Sequence, residues 1–420
     1  MGKNIRIWAE NGNSILEGIR NRSVESHIAV DFLQKELHEA VYSYVNGGFS
    51  KAGYILYPFV KGLSKDIFKK ISDVKAAAEF LDESGCDFSN SLSLYRNTRL
   101  NGKSAPVFIS QLYRDFSGIE KSGVKNKKVR FKKIDIKDYN KKDFEYLKPV
   151  IELKDFANDS LRDFVVDMHI HGSIATRDYV KGWSDLDTLI IIKKGVINDA
   201  ELLAELRKIL YKSKKYFYLV DPLQHHGHMA VTEYDMGYYC QAFFPLVLFD
   251  YSKSVFGSKY LNFGVRDDKA ERMGRFHAFS GYFKSLYSGR IKSMGCYELK
   301  FLLHMISLFP TMYLQAKGMH VYKKFSFGIA KRDFSKSEWN PIEAATGIRS
   351  RWNAPAKIPF TAIASRINPL LAYQANAKYW DITNKINNLN RVNVQSLVNG
   401  MHILSEKAKA RIDNHAKTSL

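Results

Sequence analysis

Cysteine is nearly absent from this sequence: Cys86, Cys240 and Cys296 are the three in 420 residues, far apart and without a CxxC pair. That scarcity excludes a disulfide framework and a zinc ribbon, and it fits a reducing compartment. Long apolar runs are missing as well. The two most apolar stretches, QAFFPLVLF (241–249) and FLLHMISLFPTMYLQ (301–315), fall short of the roughly 20 residues that a membrane-spanning helix requires. The first twenty residues scatter charges and Asn and hold no apolar core of the kind a secretion signal needs, so the expectation is a cytoplasmic chain with no membrane span. No internal repeat is found. Acidic residues are outnumbered: 43 Asp plus Glu against 64 Lys plus Arg leave a formal charge of +21. Such a balance points to a phosphate-bearing partner or substrate, although a basic host proteome or a solubility need gives the same number, and it bears on association rather than on fold.

What is present is enough for two or three domains with well-buried cores, at 45% hydrophobic and 13% aromatic residues. Residues 1–115 read as a mixed, largely helical region, with helix-like apolar spacing over 30–45 and 71–84 and no chemical motif. Residues 116–150 read as a basic linker. Within it, 121–142 hold ten Lys or Arg against two Asp, suited either to tracking a nucleic-acid backbone or to a solvated connector, with a short VRFKKIDI core that could form an exposed strand.

From 151 the pattern sharpens. Ala157, Leu161, Phe164, Val165 and Met168 fall at helical spacing, and DTLIIIKK (187–194) has the continuous apolar character of a strand buried on both faces. Asn198 with Glu201 resembles a capping box, and Leu202, Leu206, Ile209 and Leu210 make one face of the helix that follows. YFYLVDPLQ (216–224) predicts the next strand, paired with 228–235 through a turn at Gly227. The sum is an α/β (α+β) unit with a small mixed sheet over 151–258, followed by a chiefly helical domain over 259–420.

One stretch concentrates the chemistry: HGSIATRDYVKGWSDLDTLIII, residues 171–192. In a strand, residues i and i+2 share a face, so Asp185 and Asp187 project together while Leu186 turns into the core. Two carboxylates on one side of a strand edge make a hard oxygen site suited to Mg²⁺. Upstream, Gly172 lets the backbone approach an anion closely, and Ser173 offers a hydroxyl and an N–H.

A Gly-Ser pair, eleven residues, then Asp-Leu-Asp entering an apolar strand resembles the signature of the DNA polymerase β-like nucleotidyltransferase superfamily, with Ile170 as its leading hydrophobic residue. The resemblance covers 151–258 well and the helical remainder loosely, and leaves 1–115 outside. It implies transfer of a nucleoside monophosphate from an NTP to an acceptor hydroxyl, on RNA or a small molecule, with release of pyrophosphate. Gly172 and Ser173 would hold the triphosphate, and Asp185 and Asp187 would bind Mg²⁺ or Mn²⁺. Such enzymes commonly add a third carboxylate from a neighbouring strand as metal ligand or base. Asp221 is favoured for it, with Glu233 and Asp235 as rivals. Lys323 and Lys324 stand where relatives of this type place a triphosphate-binding lysine, although an exposed basic turn reads the same way. His225, sharing a strand face with Asp221, and Arg177, in the loop of the motif, are second-line participants. The alternative is an inactive nucleotidyltransferase-like domain that binds nucleic acid.

Overall fold

The computed structural model describes residues 12–46, 65–121, 123–221, 223–224, 226–289, 294–352 and 392–418. Five helices come first: α1 (Gly12–Arg20), α2 (Ser26–Val45), α3 (Lys65–Glu83), α4 (Ser89–Asn97) and α5 (Ala105–Ser117). They are followed by β1 (Lys125–Arg130), β2 (Lys132–Lys133), α6 (Phe144–Ser160), β3 (Val165–His171) and the single-turn α7 (Gly172–Thr176). Next come β4 (Asp187–Ile192), α8 (Lys194–Ile197), α9 (Ala200–Val220), β5 (Met229–Thr232) and α10 (Glu233–Gly237). Then β6 (Tyr239–Cys240), α11 (Val247–Asp250), β7 (Lys253–Ser254) and β8 (Tyr260–Arg266) lead to a helical remainder. Its described helices are α12 (Lys269–Ser288), α13 (Cys296–Ala316), α14 (Lys323–Lys331), α15 (Lys336–Ser350) and α16 (Val394–Thr418). Among the described residues, no helix is long and apolar enough to cross a membrane.

The mixed α/β character expected of the middle of the chain is present as two small sheets. A five-stranded sheet runs β2-β7-β3-β4-β5, and a three-stranded one runs β1-β8-β6. Strand β4 is the hinge of the larger sheet, antiparallel to β3 and parallel to β5. Its continuous apolar run is explained by burial on both faces. Ile190 and Ile192 join a core with the N-terminal helices, and Leu189 and Ile191 join another with Val231 and Phe263. A third core, around Phe276, Leu302, Phe309, Trp339 and Met401, fills the helical remainder. Trp183 and Leu223 belong to that third core, so the segments on either side of the aspartate motif are anchored in the helices.

Several local expectations give way to tertiary context. The helical spacing read across 157–168 is split: α6 ends at Ser160, and Val165 and Met168 enter β3, where their apolar side chains serve a sheet equally well. Residues 216–220 are helical rather than extended. The N-cap is Asp199, not Asn198, its carboxylate accepting from the Glu201 and Leu202 amides at 2.8 and 3.0 Å, and α9 runs unbroken to Val220. Leu206 and Leu210 are buried on it as expected, but Leu202 is exposed. No hairpin forms at Gly227, because β5 has a helix before it and pairs in parallel with β4. The basic stretch read as a linker supplies β1, antiparallel to β8 and exposed at every residue but Val129. β8 in turn adds a strand to a region read as helical.

Candidate active site

Strand β3 ends at His171 directly opposite Asp187, the first residue of β4. The chain then turns at Gly172, whose φ of +69° lies in the left-handed region. A Cβ on Gly172 would clash with the Asp187 carboxylate, 2.9 Å from its Cγ, on a backbone conformation that favours glycine. Asp185 and Asp187 converge as their spacing predicts. Leu186 between them is fully buried, and its backbone is clamped by Gln224. The Leu186 amide donates to Gln224 Oε1 at 3.1 Å, and Gln224 Nε2 donates to the Leu186 carbonyl at 3.2 Å. The two aspartates therefore project from a stretch of chain fixed on both sides.

The third side chain in the cluster is an imidazole. His226 Nε2 lies 3.1 Å from Asp187 Oδ1 and 3.3 Å from Asp185 Oδ2, and ligand atoms of the three residues fall within 4.8 Å of one another. Burial opposes protonation of His226, but the hydrogen bonds to both carboxylates outweigh it and hold the imidazole well above its ordinary range. His171 stands beside this group with its ring edge-on to Phe244, 5.0 Å between centroids, and burial pushes its pKa down. His228 has a different task. It bridges Thr188 Oγ1 at 2.8 Å and Ser213 Oγ at 2.7 Å, tying β4 to α9, and burial holds it neutral at about 3.

Cations approach from the helical side. Lys323, first residue of α14, is half-buried, makes no ion pair among the described residues, and faces both aspartates. Burial and the nearby Arg349 guanidinium pull it down to about 8, against the opposite pull of Asp185 and Asp187. Arg349 of α15 lies over the Trp183 ring at 5.0 Å, and burial lowers it while Asp185 opposes. Tyr322 caps the approach, stacked on Tyr251 at 4.2 Å. Lys324 points elsewhere, to Asp178 at 3.2 Å on the surface.

Of the other residues singled out in the sequence, Ser173 is half-buried in the first turn of α7, next to Gly172. Arg177 is exposed with φ +63° and donates to the Asp138 carbonyl at 3.1 Å. His225 lies outside the described residues. Asp221 is not a strand residue but the C-terminal cap of α9, and its carboxylate accepts from Lys300 Nζ at 2.6 Å and from the Leu223 amide at 3.0 Å. Burial raises its pKa, with Asp185 adding to the rise and Lys300 opposing it. Asp221 thus neighbours the cluster without entering it, and it is a buried ion pair that joins the sheet unit to α13. Glu233 and Asp235 sit at the opposite end of the sheet, where they bond the Lys194 amide and the Thr232 cap.

Breaking that pair has a measurable consequence. Lys300→Met strands a buried carboxylate and is expected to lower unfolding stability by about 3–5 kcal/mol, whereas Lys300→Met with Asp221→Leu restores most of the loss. Denaturant unfolding of the three proteins checks this; an unchanged midpoint in Lys300→Met contradicts the structural role given to Asp221.

Sequence reasoning passes over His226, Gln224 and Arg349. The one signal for His226 is its place in QHHGH, close before β5. The donor set suits a divalent cation: two carboxylates take a hard ion, and an imidazole nitrogen suits Mn²⁺ better than Mg²⁺. The chain matches no family model, no curated protein and no solved structure.

Proposed function

We propose that this protein is a metal-dependent nucleotidyltransferase that moves a nucleoside monophosphate from an NTP to an acceptor hydroxyl and releases pyrophosphate. The observation that carries the reading is the contact of Gly172 with Asp187, which joins the Gly-Ser turn and the aspartate pair into one site. The polymerase β-like resemblance of 171–192 points the same way.

In this reading Asp185 and Asp187 hold Mg²⁺ or Mn²⁺, which when bound neutralises phosphate charge and lowers the cost of deprotonating the acceptor. Gly172 lets the turn close against Asp187, and the Ser173 hydroxyl and amide donate to the triphosphate. Lys323 and Arg349 supply positive charge to the leaving pyrophosphate. Lys323, opening α14, opposes the helix dipole and finds its use when an anion binds there. Lys323→Met is expected to raise KM for the NTP by about 10- to 100-fold, the worth of one charge-assisted hydrogen bond, while Lys324→Met changes it by less than about twofold. Steady-state kinetics of the two variants decides; equal effects would contradict the assignment.

A polyanionic acceptor such as RNA is the preferred substrate class, and the cytoplasm the expected location. The exposed lysines of β1 and β2 continue to Lys253, which Lys132 and Arg177 both approach closely enough to lower its pKa in addition to the effect of burial. This basic strip reaches the loop of the motif. Incubation with each labelled NTP, Mn²⁺ or Mg²⁺, and RNA, metabolite or protein fractions tests the acceptor, RNA labelling being the expected result. One observation favours the second reading, an inactive domain that binds nucleic acid: His226 already bonds both aspartates. That reading requires salt-sensitive RNA retention and no labelled product with either metal.

A further inference from the structure

A cavity of about 270 Å³ lies between α2, the β6 region and α12, and none of Asp185, Asp187, His226 or Lys323 lines it. Its walls are largely apolar, from Ile15, Phe32, Tyr239 and Phe243, and Ala278 is an exposed residue of its lining. Three acids face it, and each is already committed. Glu39 is bonded by Lys70, Glu271 by Arg266, and Asp235 by the Thr232 amide and hydroxyl. Lys35 is paired with Glu36 at 3.3 Å.

Two donors remain. Arg275 makes no hydrogen bond or ion pair among the described residues; Glu39 and Glu271 attract it only at longer range, and the Phe243 ring lies 5.5 Å from its guanidinium carbon. His38 holds Nδ1 3.6 Å from Asp235 Oδ2, while its Nε2 is buried without a hydrogen-bond partner. A half-buried guanidinium that no carboxylate bonds, beside an imidazole nitrogen left unpaired, gives the cavity two donors for an anion. We propose that this cavity binds a small organic acid, its carboxylate on Arg275 with His38 as second donor and its acyl or aryl body among Ile15, Phe32 and Phe243. A guanidinium grips carboxylate and phosphate alike, and it is the apolar walls that select an organic acid over inorganic phosphate.

The test is calorimetric titration of the full chain with octanoate and with octanamide, its uncharged counterpart. Octanoate is expected to bind one to one and at least about tenfold tighter than octanamide, the difference a charge-assisted hydrogen bond makes. Arg275→Met should erase that preference while melting close to the parent, because no carboxylate is hydrogen-bonded to the guanidinium it removes. Ala278→Trp, at an exposed residue of the lining, should block octanoate by filling the space. Failure of the parent to bind octanoate, equal binding of acid and amide, or parental octanoate binding by both variants would overturn the proposal. None of these outcomes depends on nucleotidyl transfer.

Discussion

Asp187→Asn is expected to reduce label transfer from NTPs about 10³-fold or more while leaving the fold intact, and Asp185→Asn to do the same. Each asparagine keeps the shape of the side chain and removes the charge with which it would hold a cation. A loss of about 4 kcal/mol of transition-state stabilisation corresponds to that factor. The fold should survive because the Asp187 side chain is about one-fifth exposed and its strand pairing with His171 is made by the backbone. A second readout needs no substrate. Asp187 is one of two carboxylates that keep the His226 imidazole protonated, so in Asp187→Asn its pKa, followed by NMR, should fall toward or below the ordinary histidine value. Retained transfer by both variants would refute the metal role; an unmoved His226 would refute the geometry.

Gly172→Ala is the second large effect, and it acts through shape alone. The added methyl clashes with the Asp187 carboxylate, 2.9 Å from its Cγ, on a backbone with φ +69°. The left-handed conformation costs an alanine about 1–2 kcal/mol, and relief of the clash must come from moving either Asp187 or the first turn of α7. Either movement displaces one end of the site against the other. A misplacement of about 1 Å is worth roughly 10²-fold in rate, so kcat should fall by about that factor while thermal stability falls only modestly. Ala175→Gly, in the same short helix, serves as the control and should retain most activity. If Gly172→Ala transfers label at the parental rate, Gly172 does not join the two halves of the site.

The parts of this arrangement that are legible in the sequence are those encoded locally. A glycine beside a serine, two acids flanking a leucine, and a run of isoleucines are patterns that backbone geometry reads directly, and Gly172, Asp185, Asp187 and β4 follow from them. What is not legible depends on elements distant in the chain. The aromatic and β-branched residues of 216–220 suit a strand, but the Asp199 cap and burial of Phe217 and Val220 keep them in α9. With that helix in place, the alternation that selects His225 no longer applies, and His226 reaches the aspartates. Asp221 illustrates the same point: its fate is set by Lys300, 79 residues away. The lysines of α14 carry a weak local signal, cations at the wrong end of a helix, but their distinct roles emerge only when α14 is packed, Lys323 toward the site and Lys324 toward Asp178.

The central claim is that the bond broken lies between the α- and β-phosphates. Parallel reactions with NTP labelled at the α- or the γ-phosphate, in Mn²⁺ and in Mg²⁺ and with an RNA acceptor, test it most directly. α-Label is expected to enter the acceptor and γ-label to leave as pyrophosphate, both lost in Asp185→Asn with Asp187→Asn; γ-label on the acceptor, or no release of pyrophosphate, would contradict nucleotidyl transfer.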